Sequence, residues 1–194
     1  LRGDPMKNES SFVPTKGGNG FAIDLIKQID EMNRGQYLYE ETLNSPSNFC
    51  IGAAGYPEKH FEAMNLNSDL KNLKLKVDAG AEFIVTQLFY DNNKYFEFVD
   101  KCREIGIKVP IIPGLKPVTN LRHLTFIPKF FNTNFPEEFS NELEKCKSNE
   151  EVIQIGTQWA IEQSKELIKA GVPVLHFYTM GKGEAVKNIA SKIF

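Results

Sequence analysis

Cysteine is scarce and scattered in this chain: Cys50, Cys102 and Cys146 form no Cys-x-x-Cys pair, and an odd number cannot all be joined within one molecule. A disulfide framework is therefore excluded, and buried, reduced thiols in a cytoplasmic setting are expected. Charge of one sign is also lacking. Lys and Arg number 23 against 25 Asp and Glu, a formal net charge of -2 with the two signs interspersed. There is thus no basic stripe to hold a nucleic acid or an anionic membrane. No apolar run reaches the roughly 20 residues that span a bilayer, and nothing at the N-terminus has the pattern of a signal peptide. No Gly-x-Gly-x-x-Gly turn follows an apolar run, which argues against a doubly wound dinucleotide-binding sheet. No metal site is expected.

What is present is the composition of an ordinary globular chain, 194 residues with 41% hydrophobic and 25% charged side chains, enough for one domain with a full core. Phe occupies 15 positions and Trp only Trp159, so surfaces for stacking a planar ligand are available. Four apolar runs each stop on a polar or glycine-rich motif. Ile51-Gly-Ala-Ala leads into Gly55-Tyr-Pro-Glu-Lys-His, and Phe83-Ile-Val into Thr86-Gln-Leu-Phe-Tyr. Val109-Pro-Ile-Ile leads into Pro113-Gly-Leu-Lys-Pro, and Val174-Leu into His176-Phe-Tyr-Thr-Met-Gly-Lys. Runs such as Phe83-Ile-Val are continuously apolar, as strands buried on both faces are.

Helical periods fill the intervals. Asn19 or Gly20 is placed to cap a helix from Phe21 to Asp30, and Ser68 precedes a second that Gly80 closes. A third runs from Asp91 to Gly106, a broken region covers His123 to Phe131 and a fresh start at Pro136, a long helix spans Val152 to Ala170, and Ala185 to Ile193 closes the chain. Strand and helix alternate, as parallel strands with crossover helices require. With reactive groups at every strand end, the pattern predicts a (β/α)8 barrel. Leu1-Arg2-Gly3-Asp4-Pro5 reads as a further strand end with the strand removed. Residues 1–194 are accordingly expected to form a single domain that covers roughly the C-terminal half of such a barrel, with its N-terminal strands missing.

Taken together, Leu-Arg-Gly-Asp-Pro, Gly-Tyr-Pro-Glu-Lys-His-x-Glu-Ala, Asp-Leu-x-x-Leu-x-x-Lys-Val-Asp-Ala-Gly-Ala, Thr-Gln-Leu-Phe-Tyr-Asp, Pro-Ile-Ile-Pro-Gly and Leu-His-Phe-Tyr-Thr closely resemble the methylenetetrahydrofolate reductase family. The resemblance covers Leu1 to about Gly183. It implies a flavin-binding barrel that uses FAD, with NADH or NADPH as co-substrate, to reduce 5,10-methylenetetrahydrofolate to 5-methyltetrahydrofolate. It also implies a general acid outside this chain, and a homo-oligomer is expected.

The resemblance assigns Asp4 to the flavin and substrate, beside Arg2 and Gly3. A carboxylate next to a flavin ring disfavours the reduced anion and so eases onward electron donation, although an Asp-Pro turn is the plain alternative. Ala22, Tyr56, His60 and Ala63 are implied to line the FAD site. Asp69, Asn72 and Lys76 share a helix face and are implied to hold the cofactor's ribose and phosphate end, Lys76 being a natural phosphate cation. Gln87 interrupts the most apolar strand and needs a partner; the resemblance makes it the folate-recognising residue. His123 and Lys182 fall on the implied substrate side, Lys182 where the family more often carries arginine. Pro113-Gly114 reads as a tight strand exit that lets the backbone approach a ligand, while Thr86 and Asp91 read as structural. Two other readings stay open: a barrel aldolase or phosphate-binding enzyme working through Lys116 or Lys182, and a non-catalytic piece that acts only in assembly.

Overall fold

The computed structural model describes residues 12–38 and 44–194. Its elements are, in order, α1 (Ala22–Asn33), β1 (Gly52–Gly55), α2 (Leu66–Asp78), β2 (Phe83–Thr86), α3 (Asn92–Glu104), β3 (Ile111–Ile112), β4 (Gly114–Leu115), α4 (His123–Phe131), α5 (Glu137–Leu143), α6 (Asn149–Lys169), β5 (His176–Phe177) and α7 (Glu184–Ile193). The alternation anticipated from the sequence is present, with one refinement. The third apolar run forms two short strands around Pro113, which has no N–H to donate, so the ladder lapses there.

All pairings are parallel. β1 pairs β2 with Gly52 opposite Phe83, β2 pairs β3 with Ile84 opposite Ile111, and β4 pairs β5 with Gly114 opposite His176. Across the break, the Gly114 amide donates to Thr86 Oγ1 at 2.9 Å and the Tyr178 hydroxyl donates to the Thr86 carbonyl at 2.8 Å. Thr86 and the ring of Tyr178 therefore stitch the second strand to the fourth. Gly114 is required at this seam: a Cβ there would press on the Thr86 carbonyl and stand 2.7 Å from the Tyr178 ring. The close approach expected at Pro113-Gly114 is real, and it is made to the Thr86 backbone and the Tyr178 ring.

The main core lies between the strands and helices α2 and α3, where Ile84, Phe98, Cys102 and Ile107 are almost wholly shielded from solvent. Each such side chain contributes roughly 1.5–3 kcal/mol relative to exposure. Contrary to the both-faces-buried expectation, burial alternates along β2: Ile84 and Thr86 are buried, whereas Phe83 and Val85 are only half-buried. The helices cover one sheet face, and period-2 geometry turns Phe83 and Val85 to the other.

Helix starts also differ from the sequence reading. α1 begins after Phe21, whose amide donates to Asp24 Oδ2 at 2.9 Å, so neither Asn19 nor Gly20 is the cap, and Phe21 is exposed. The cap of α2 is Asn65, three residues before Ser68; Asn65 Oδ1 accepts from the Ser68 amide at 2.9 Å and Ser68 Oγ accepts from the Asn65 amide at 3.2 Å. This reciprocal pair satisfies two first-turn donors and moves the start forward by one turn. Asp91 caps α3 through the Asn93 amide, and Ser148 caps α6. Helix α6 fixes the segment after β2: Trp159 Nε1 donates to the Tyr90 carbonyl, and Gln163 Nε2 to the Phe89 carbonyl, each at 3.0 Å. Backbone oxygens that have left the sheet are thereby satisfied.

Candidate functional site

The residue that follows each of four strands points into one cleft: Tyr56 after β1, Gln87 after β2, Lys116 after β4 and Tyr178 after β5. Ala54, Leu88, Phe131 and Met180 complete its walls. The cleft is open to solvent and encloses about 210 Å³, below the roughly 300–1,000 Å³ of sites that bury a whole drug-sized ligand. A shallow recess of about 10 Å³ adjoins it, sharing Tyr56, Gln87, Leu88 and Phe131 and adding Glu58, Lys59 and Asn132.

The rim is held in an unusual backbone state. The non-glycine residues with positive φ among the described residues are Lys59 at 94°, Asn132 at 52° and Met180 at 50°, and all three border the cleft or its recess. Such conformations cost about 1–3 kcal/mol for a non-glycine residue and gather at ligand sites. Local bonds hold them: Lys59 Nζ donates to the His60 and Ala63 carbonyls at 3.1 and 2.9 Å. Glu58 accepts from the Thr133 hydroxyl and, at 3.1 and 2.6 Å, from the Asn134 backbone and side-chain amides. The β1–α2 loop is thus tied to the segment after α4.

On the β1 side the residues expected to hold a cofactor come together around Tyr56. His60 packs edge-on against the Tyr56 ring at 4.6 Å between centroids, its Nδ1 accepts from the Glu62 amide at 3.2 Å, and its own amide donates to buried Asp69 at 2.8 Å. Lys76 Nζ donates to the Ala54 carbonyl at 3.1 Å and lies 6.0 Å from the Tyr56 ring centroid. Burial pulls the Lys76 ammonium below the usual lysine range, and the Asp69 carboxylate partly offsets this. Ala63 sits in the same loop. Asn72 shares the helix face with Asp69 and Lys76 but is exposed. Ala22 opens α1 and lines neither the cleft nor its recess.

Gln87 has its expected partner in part: Oε1 accepts from the Leu88 amide at 3.0 Å. That bond orients the carboxamide, and no described residue bonds its NH2, at a position that lines the cleft. On the β4–β5 side, His123 Nδ1 accepts from the Thr119 amide at 3.2 Å and Nε2 lies 2.9 Å from the Asn120 side-chain amide, so the ring closes its own turn. Burial lowers the His123 proton affinity below the ordinary imidazole value, and the charges of Lys116 and Lys182 lower it further. Lys182 is exposed at the loop beyond β5. Arg2, Gly3 and Asp4 lie outside the described residues. Sequence reasoning missed Tyr178 and Phe131 as cleft walls, and treated Lys116 only as a Schiff-base or phosphate-binding candidate of another enzyme class. Position directly after a parallel strand would have flagged Tyr178 and Lys116; Phe131 comes from a helix end and carried no such signal.

Parallel strands that empty one residue each into a common cleft define the α/β class whose ligands bind at the carboxyl edge of the sheet. Within that class, residues 1–193 match the sequence model of the methylenetetrahydrofolate reductase family. Curated relatives agree. The chain is 37% identical to methylenetetrahydrofolate reductase (NADH) 1 of Zea mays over 97% of its own length and 38% identical to methylenetetrahydrofolate reductase 1 of Schizosaccharomyces pombe over 100%. It is 33% identical to the 5,10-methylenetetrahydrofolate reductase of Pectobacterium carotovorum over 95%. It spans 32%, 30% and 55% of those proteins' lengths, respectively. The chain belongs to the methylenetetrahydrofolate reductase family, and its fold is of the TIM-barrel type.

Proposed function

We propose that this chain is part of an enzyme that reduces 5,10-methylenetetrahydrofolate to 5-methyltetrahydrofolate, with FAD as cofactor and NADH or NADPH as electron donor. The observation that carries the reading is the convergence of Tyr56 and Gln87, from adjacent strand ends, on one cleft. The residues present fit a flavin nucleotide. Tyr56 supplies a ring wall, and Lys76 is a desolvated cation with one of its three donors used on Ala54. Such a cation suits a phosphate oxygen. When bound, FAD supplies two-electron transfer between the nicotinamide and the folate.

The chain's own residues then have separable tasks. Lys76, Asp69 and the His60 loop hold the cofactor's polar end. Gln87, its oxygen fixed by Leu88, presents two N–H donors to the acceptor edge of a pterin. Leu88, Phe131 and Met180 wall the cleft with apolar surface, which lowers the local dielectric and strengthens those polar contacts. Asp4, by the resemblance alone, is assigned to the flavin and the folate. No described helix is long and apolar enough to cross a membrane, and the three cysteines are free; we place the protein in the cytoplasm, as one domain of a homo-oligomer.

The full-length protein of which this chain is part should carry a yellow flavin that NADH or NADPH bleaches and that methylenetetrahydrofolate re-oxidises, with 5-methyltetrahydrofolate as product, whereas the isolated chain is expected to be weakly active or inactive. Bleaching without folate turnover, by protein shown to bind folate, sinks the assignment. One observation favours a Schiff-base enzyme instead: Lys116 lies in the cleft with its proton affinity lowered by burial. Borohydride trapping of a carbonyl ligand on Lys116 would favour that reading, and the reductase reading expects no adduct.

A further inference from the structure

Two lysines at this site are desolvated, and among the described residues only one is compensated. Lys76 has the Ala54 carbonyl and the Asp69 charge. Lys116 is half-buried among Leu88, Phe131, Tyr178 and Met180, and among the described residues no hydrogen bond or ion pair holds its ammonium. Among the described residues no carboxylate opposes its loss of solvation. The surrounding field is of the same sign, because Lys116 and Lys182 both act on His123. His123 adds no charge at neutral pH and accepts from the Thr119 amide, so it closes the turn that follows Lys116. Taking an ammonium out of water without a counter-charge is costly. An anionic group arriving in the cleft would remove that cost.

We infer that Lys116 is an anion-binding subsite of the cleft, which takes a carboxylate or phosphate oxygen of the bound substrate. The inference rests on the reductase reading for the ligands: the anion belongs either to the glutamyl tail of the folate or to a phosphate of the nicotinamide nucleotide. Lys116 is here a binding residue and takes no part in the transfer of electrons.

The test uses Lys116→Met, which keeps length and removes charge, and Lys116→Arg, which keeps charge. Equilibrium dissociation constants are measured for 5-methyltetrahydrofolate, for a pteroate analogue lacking the glutamyl tail, and for NADH and NADPH, at low and high salt. Lys116→Met should weaken one ligand class about tenfold at low salt, the loss expected for one hydrogen bond to a charged group, and should flatten its salt dependence; Lys116→Arg should restore most of the affinity. Loss confined to the tailed folate identifies the carboxylate, and loss confined to the nucleotides identifies the phosphate. Binding of every ligand within twofold of the parent overturns the subsite. Failure of the unaltered protein to bind folate and nucleotide alike would instead overturn the reductase reading, and the subsite with it.

Discussion

Replacing Gly114 by alanine tests the seam that brings the strand ends together. The added methyl would press on the Thr86 carbonyl, which is backbone, and stand 2.7 Å from Tyr178 Cε2. Neither can yield by a rotamer change, since the Tyr178 hydroxyl is bonded to that same carbonyl at 2.8 Å. β4 must therefore withdraw from β2, which also stretches the bond from the Gly114 amide to Thr86 Oγ1. Overpacking costs about 1–3 kcal/mol and the weakened hydrogen bond about 1 kcal/mol, so Gly114→Ala should destabilise by about 2–4 kcal/mol. That is a large share of the roughly 5–15 kcal/mol that holds a typical protein folded. Urea unfolding followed by circular dichroism and by the fluorescence of Trp159 measures it. Gly20→Ala is the control: its Cβ would meet nothing nearer than Asp24 Oδ2 at 3.8 Å, and its effect should stay within about 1 kcal/mol. A loss under about 1 kcal/mol for Gly114→Ala, or equal losses for both variants, would refute the argument that β2 and β4 are locked through Thr86.

Glu58→Ala should cost about 1–3 kcal/mol by stranding the Thr133 hydroxyl and the Asn134 amides, and limited proteolysis should cut first near residues 57–64 or 132–135; an unchanged cleavage map would count against the tie. His123→Gln should flatten the loss of stability on acidification. In the native state burial and two lysines keep the ring neutral below its usual titration point, so the unfolded chain binds the proton first and stability falls as pH drops below about 6.5. Unfolding free energies of the two proteins that stay parallel from pH 7.5 to about 5 would contradict this. Gln87→Leu should weaken binding of 5-methyltetrahydrofolate about tenfold or more by removing the donors of a residue that lines the cleft while leaving flavin affinity nearly unchanged; equal losses of both would mean that Gln87 only supports the fold.

The periodicities that carry burial also carried the fold. Helices α1, α2, α3, α6 and α7 and the four strand-end motifs could be placed because each pairs a sustained apolar pattern with a polar stop. The misses have local causes. The α2 start was displaced because Asn65 and Ser68 are both good caps and only their reciprocal bonds decide between them. The split third strand follows from Pro113, but the partner exchange from Ile84–Ile111 to Gly114–His176 is a tertiary outcome. At the site, Tyr56, His60, Asp69, Lys76 and Gln87 were legible through motif order. The contact of Gly114 with Thr86 and Tyr178 was not legible, because a glycine pattern does not say which neighbour comes close. Phe131 was invisible, since its place in the cleft depends on how α4 ends at Asn132.

The three left-handed residues at the rim have a thermodynamic consequence. Glycine at positions 59, 132 and 180 would remove a steric penalty of about 1–2 kcal/mol apiece but would widen the conformations open to each loop. With lysine, asparagine and methionine there, that ordering is met when the polypeptide folds, before any guest arrives. Association then spends little on freezing the entrance, and successive guests find the same preset mouth.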